Sequence, residues 1–421
     1  MHIQTDRAFV PAGSVSTRYL SVTLSAPASA TSGTTRSERS GVDVSLVLDR
    51  SGSMAGRKIE LARQAVAHAI RLLRSDDQLN VVAYDHEVET VLERIPATAA
   101  AKKQALAALG RIHARGSTNL AEGWFTGARS LGGANPDDRV RRVLLLTDGL
   151  ANQGLTDAAS LREAAARLRA EGIGTSTFGV GNDFDEELLT SIAADGGGHF
   201  YFIEQPAQIP DFFASELGEV LDVVARDVVF EVAAGPGVRV TVLNPIPAEH
   251  EEGITRVRLG DFVAEQEVTL LLAVAIDARA AGDTASVRCR VTDRDNVLLP
   301  APMQVDWTAV AADQDKAQPV NRDVLLAVAR MLAEGARMHA LSANRRGGFD
   351  EAGRALKYTA DQIAQLGIED EAVQAVAELL LKEEGAFTRH MAAKDMKARH
   401  FAAYAASLSR EPGGRARKRR I

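Results

Sequence analysis

Three short segments of this chain offer oxygen atoms at a spacing that suits a metal ion. In Asp49-Arg50-Ser51-Gly52-Ser53, the residues Asp49, Ser51 and Ser53 lie two apart. On a loop leaving a strand, alternate residues can each turn one oxygen toward a common point. Gly52 and Gly56 give that loop the freedom to curl. Gly116-Ser117-Thr118-Asn119 adds the Thr118 hydroxyl, and Thr147-Asp148-Gly149 adds the Asp148 carboxylate. The set contains oxygen donors and neither Cys nor His. That is the preference of a hard cation, Mg²⁺ first, with Mn²⁺ or Ca²⁺ also possible. Two carboxylates with neutral hydroxyls only just neutralise Mg²⁺. An open coordination position can then accept a carboxylate from a partner.

The bland alternative is that these Ser, Thr and Asp residues cap helices and end strands, as they often do. The surrounding pattern decides for a site. Residues 42–48 and 140–146 are short, largely apolar runs of the kind that form buried parallel strands. Residues 57–74 place Ile59, Ala62, Val66, Ala69, Ile70 and Leu73 at helical spacing. Strands then alternate with helices as far as residue 224. This predicts an α/β fold: a doubly wound parallel sheet with helices on both faces. Ligands of such sheets bind outside the carboxyl ends of the strands, where all three segments fall.

The flanks differ in character. Residues 14–24 alternate, with Leu20, Val22 and Leu24 on one face, as in a half-buried strand. A Ser/Thr/Ala/Gly-rich linker spans 27–41, and short strands over 225–312 predict a β-sandwich. Residues 318–409 read as a helical unit. Residues 410–421 read as a disordered basic tail, with Arg415, Arg417, Lys418, Arg419 and Arg420.

Composition sets the outer limits. The 421 residues are 46% hydrophobic, enough for one large domain and smaller ones. A net charge of −7 argues against nucleic acid as the main partner, leaving the basic tail as the one segment suited to it. The single cysteine, Cys289, excludes an intramolecular disulfide. The N-terminal residues lack a signal-peptide pattern, and the longest apolar run, about 268–276, falls short of the ~20 residues that span a bilayer. A cytoplasmic location is expected.

Asp-x-Ser-x-Ser, the later Thr and the Thr-Asp-Gly resemble the metal-ion-dependent adhesion site of von Willebrand factor A domains. The matching residues are Asp49, Ser51, Ser53, Thr118 and Asp148, and the resemblance covers roughly residues 42–224. It implies a non-catalytic, Mg²⁺-dependent protein-binding module, the partner's Asp or Glu completing the metal shell. Asn119, Gly52 and Gly149 would shape the loops, and Arg50 would face the rim and add a charge-assisted hydrogen bond. The flanks are similar to those of bacterial proteins of this class and of inter-alpha-trypsin inhibitor heavy chains. That implies that residues 1–26 join the 225–312 sandwich. Resemblance to bacterial A-domain proteins that work with AAA+ partners keeps open an alternative, an assembly or adaptor subunit for such an ATPase.

A metal-dependent hydrolase is the weaker rival. Neither a nucleophile–base arrangement nor a two-metal carboxylate cluster is visible, and Ser51 and Ser53 lie outside any Gly-x-Ser-x-Gly elbow. Gly179-Val180-Gly181 precedes an acidic stretch and reads as a turn and helix cap rather than a dinucleotide loop. Asp283, Asp293 and Asp295 read as turn residues, and His86 and His113 as solvated loop residues.

Overall fold

The structure, a computed structural model, describes residues 1–28, 41–133, 135, 138–298, 300–366, 370–411 and 413–418. Most of the expected linker, residues 29–40, lies outside the described residues. The chain divides into two bodies. One is Ala28–Val224, and the other combines Met1–Pro27 with Ala225–Ile421. Three strands of the latter come first in the chain: β1 (His2–Thr5), β2 (Phe9–Pro11) and β3 (Ser16–Ser25).

The body 28–224 contains strands β4 (Val42–Asp49), β5 (Gln78–Tyr84), β6 (Val88–Pro96), β7 (Val140–Thr147), β8 (Ile173–Val180) and β9 (Gly197–Ile203). Its helices are α1 (Arg57–Leu72), α2 (Ala99–Leu109), α3 (Leu120–Leu131), α4 (Ala158–Ala170), α5 (Glu186–Asp195) and α6 (Ile209–Val220). The strands form one sheet in the order β6-β5-β4-β7-β8-β9. Central β4 is buried at every residue, and its polar members are paired, Asp43 with Arg94 and Arg139 and Ser45 with Asn80. The sheet is parallel except at β6, which returns antiparallel to β5. The expected parallel sheet is present, and an antiparallel strand is added at its edge. Residues 85–87 form a tight turn, and Glu89, Glu93 and Arg94 keep the β6 edge charged, as suits an edge strand.

Helix α1 buries Ile59, Leu61, Ala62, Ala65, Val66, Ala69 and Ile70. Each large apolar side chain buried in this way contributes about 1.5–3 kcal/mol. Helix α3 approaches the sheet more closely. A Cβ on Gly123 would lie 2.4 Å from the Tyr84 ring, so only glycine fits there. Trp124 is fully buried, and its Nε1 donates to Thr175 Oγ1 at 3.1 Å. This packing fixes the start of α3, where Thr118 and Asn119 stand.

The other body continues with β10 (Val223–Ala234), β11 (Val238–Val242), β12 (Ala248–Glu251), β13 (Ile254–Val263), β14 (Glu267–Ile276), β15 (Thr284–Thr292) and β16 (Met303–Val310). Helices follow: α7 (Ala312–Ala317), α8 (Arg322–Arg345), α9 (Phe349–Ala364), α10 (Glu371–Phe387) and α11 (Ala393–Ser407). Its sheets run β1-β3-β14-β11 and β12-β13-β10-β15-β16-β2. Strand β3 pairs antiparallel with β14 from Ser16↔Ile276 to Ser25↔Glu267, and its Leu20, Val22 and Leu24 are buried. Trp307 Nε1 donates to Thr5 Oγ1, stitching the N-terminal strands to the far end of the body. Leu271 on β14 joins the apolar core of the helical unit. Asp293 accepts from the N–H groups of Asp295, Val297 and Leu298, and so builds a turn.

Among the described residues, the tail contacts the start of β14. Arg410 and Ala416 are buried and bridge one another, and the Glu267 N–H donates to the Arg417 carbonyl at 2.9 Å. The physical reason is a backbone donor at the start of β14 that needs an acceptor. Arg415, Arg417 and Lys418 are exposed and give the described residues of this segment a basic outer face. Residues 419–421 lie outside the described residues. Among the described residues, no helix is long and apolar enough to cross a membrane.

Candidate metal centre

The three sequence segments meet at the carboxyl ends of β4 and β7. Backbone hydrogen bonds clip their loops together. Arg50 N–H donates to Tyr84 O, Gly52 N–H to Gly116 O, and Arg115 N–H to Arg50 O. Asn119 N–H donates to Asp85 O, and Asn152 Oδ1 accepts from Thr118 N–H at 3.0 Å. The sheet thus sets the strand ends, and these clips set the loops.

Asp49 and Asp148 are both completely buried. Asp49 accepts through Oδ1 from Ser51 N–H at 2.7 Å and through Oδ2 from Thr147 Oγ1 at 2.6 Å. Ser51 and Ser53 hydroxyls lie 3.1 Å apart, and Ser53 Oγ donates to Asp148 Oδ1 at 2.7 Å. Thr118 is 3% exposed and closes the group. A Cβ added to Gly149 would sit 3.3 Å from Thr118 Oγ1 and 3.7 Å from Ser53 Oγ. Glycine there leaves room in front of both hydroxyls. Ser53 is exposed, so the cluster opens to solvent on its side.

The electrostatics favour a cation. Burial pushes Asp49 up to about 6, against the bonds from Thr147 and Ser51, and the Asp148 charge adds to the rise. Burial also pushes the Tyr84 hydroxyl well above its usual value, and both carboxylates reinforce it. Two buried negative charges face one ammonium, that of Lys58, which donates to Asp148 Oδ2. One negative charge is left over. The donor set is all oxygen, and the Gly149 side leaves space before it. Asp49, Ser51, Ser53, Thr118 and Asp148 therefore fit a hard divalent cation.

Among the neighbouring residues, Arg50 takes a different place from the one expected of it. Arg50 is 5% exposed, bonded to Asp85 at 2.8 Å and to Glu89. It braces the loop from behind instead of facing a partner. A buried guanidinium needs such carboxylates, and β6 supplies one of them. Arg115 also reaches Asp85, and His86 Nδ1 lies 2.9 Å from the same carboxylate. Asn119 caps α3 through Glu122 N–H. Gly56 takes φ 73°, while Gly52 is placed by its close approach to Gly116 O. Asp185 caps α5, as the helix-cap reading of that loop requires. Sequence reasoning missed Lys58 and Thr147. Thr147 lies inside the Thr-Asp-Gly segment. Lys58 left a fainter trace, a cation in the first turn of a helix.

Residues 43–215 match the von Willebrand factor type A domain. An uncharacterized protein of Synechocystis sp. is 29% identical over 286 residues, covering 63% of this chain and 66% of its own length. Inter-alpha-trypsin inhibitor heavy chain H3 of Mus musculus is 29% identical over 162 residues, 37% of this chain and 18% of that one. The matches therefore span less than two thirds of these relatives. A von Willebrand factor type A structure from Catenulispora acidiphila covers 97% of this chain and 96% of its own, with TM-score 0.70 at 19% identity, a likeness of fold. With the sheet order, the loop clips and the sequence match in agreement, the chain carries a von Willebrand factor type A domain over residues 43–215.

Proposed function

We propose that this chain is a non-catalytic protein-binding module whose A domain holds Mg²⁺, or Mn²⁺ or Ca²⁺ in its place, and recognises an Asp or Glu of a partner protein. The observation that carries the reading is the pair of buried carboxylates, Asp49 and Asp148, set among hydroxyls with negative charge to spare. Asp49, Ser51, Ser53, Thr118 and Asp148 would hold the ion. When bound, it supplies an electrophilic position for a carboxylate. The exposed Ser53 side gives the approach. A-type domains commonly mediate protein–protein contacts, which supports the reading. Ser51 and Ser53 bond to each other, and Ser53 to Asp148, rather than to a histidine base, which supports a binding role over a hydrolytic one.

The test is scanning calorimetry of the full chain in EDTA and in Mg²⁺. A ligand that binds only the folded state adds about 2.7 kcal/mol at a hundred times its Kd. The wild-type midpoint rises with Mg²⁺, and Asp148→Ala abolishes the rise. A wild type indifferent to a full Mg²⁺ titration sinks the proposal.

A further inference from the structure

The first turn of α1 carries a cation where the helix does not favour one. A helix N-terminus bears partial positive charge, so a lysine there gains nothing from the dipole. Lys58 is the second residue of α1. Its Nζ donates to Oδ2 of Asp148, a carboxylate with no solvent exposure, while the Lys58 side chain stays 25% exposed. The ammonium also lies 4.0 Å from Asp183, whose side chain is 73% exposed. Lys58 thus stands at the mouth of the cluster. It holds the inner carboxylate, with an outer one within reach.

We propose that Lys58 is a tethered counter-cation that competes with the divalent ion for Asp148 and passes to Asp183 when the ion enters. The inference rests on the metal reading of the same site. Its logic is charge. Asp49 and Asp148 together bring two negative charges into a buried place, which is costly without cations. Lys58 offsets one of them and so steadies the metal-free body. A tethered monovalent group cannot match a divalent ion, but the ion must displace it. Metal affinity is thereby lowered, and occupancy becomes responsive to the cation concentration instead of permanent. The exposed stem of Lys58 gives it freedom to move, and Asp183 gives it a solvated place to go.

The experiment is Mg²⁺ titration calorimetry on the full chain, with thermal midpoints in EDTA. Lys58→Gln and Lys58→Met are compared with wild type; the position is partly exposed, so neither variant disturbs the core. Both variants are expected to bind Mg²⁺ about tenfold more tightly and to melt lower in EDTA. Asp183→Asn is expected to weaken Mg²⁺ binding in wild type but not in Lys58→Gln. Unchanged or weaker binding in the Lys58 variants overturns the inference and leaves the metal reading standing, since Lys58 would then merely orient Asp148. A wild type that fails to bind while Lys58→Gln binds supports competition in its strongest form. Failure of every variant to bind Mg²⁺ overturns both.

Discussion

Asp49 and Glu216 are acids of the same body, 0% and 1% exposed, and their surroundings treat them in opposite ways. Burial alone would push both up. Around Glu216 the chain answers that pressure. The His199 ring lies 3.0 Å away, and Arg142 adds a positive group. Ser176 Oγ donates to its Oε1, and Tyr201 donates to Oε2 at 2.6 Å. The sum holds Glu216 well below the usual carboxylate range. Around Asp49 the two hydrogen bonds do not suffice, and it stands at about 6. The lesson concerns what marks a site. His199, Glu216 and Glu219 are close enough together to suggest a metal cluster. Yet the Glu216 carboxylate is already satisfied by its own chain. Unanswered negative charge, and not proximity of ligands, separates the Asp49 group from a structural network.

The sharpest way to break this comparison is Glu216→Gln. It keeps size but removes the charge that His199 and Arg142 face, and it puts an amide donor among donors. Breaking a buried charge network of this kind costs about 3–5 kcal/mol. Urea unfolding should show that loss equally in Mg²⁺ and in EDTA. A loss that depended on the metal would move Glu216 from scaffold to site.

A pH series on the metal-free protein gives the next effect. Asp49 is raised from 3.8 to about 6 on folding, so the folded state holds its proton more tightly than the unfolded chain. The penalty is absent below the unfolded value, grows as pH rises between the two values, and is complete above about 6. A shift of about two units corresponds to roughly 3 kcal/mol at most. Glu216 has the opposite sign. Its depressed value contributes stability above the ordinary glutamate range that is lost in acid. In EDTA, Asp49→Asn should therefore match wild type near the acid end and become the more stable protein at neutral pH. Parallel stability curves for the two proteins would show that burial does not strain Asp49.

How much of this could be read beforehand depends on where each signal lies. The Asp49, Ser51 and Ser53 spacing is local, and the β4 and β7 runs announce buried strands, so the candidate site and its sheet were legible. The antiparallel edge was harder to see. Val88–Pro96 carries charges within a weak alternation, and its pairing depends on a turn at residues 85–87. Arg50 looked like a rim residue because its partners Asp85 and Glu89 lie 35 and 39 residues away. Glu216 gave no signal, since its partners come from β7, β8 and β9 and meet only after the sheet forms. The bond from the Glu267 N–H to the Arg417 carbonyl links residues far apart in the chain, which basic composition cannot reveal.

The smallest predicted difference comes from matched serines. Ser176 and Ser53 each donate to a buried carboxylate, Glu216 and Asp148 respectively. Ser176 is fully buried, so Ser176→Ala removes a hydrogen bond to a charge that water cannot replace, costing about 1.5–3 kcal/mol whatever the metal. Ser53 is exposed, and water can take over its bond, so Ser53→Ala should cost no more than about 1 kcal/mol in EDTA. On the proposed metal reading, its effect should appear instead as a weakened Mg²⁺ response. Calorimetry of both variants in both buffers makes the comparison internal. If Ser53→Ala lost stability as Ser176→Ala does and kept a full Mg²⁺ response, Ser53 would belong to the scaffold, and the open side of the site would have to be sought elsewhere.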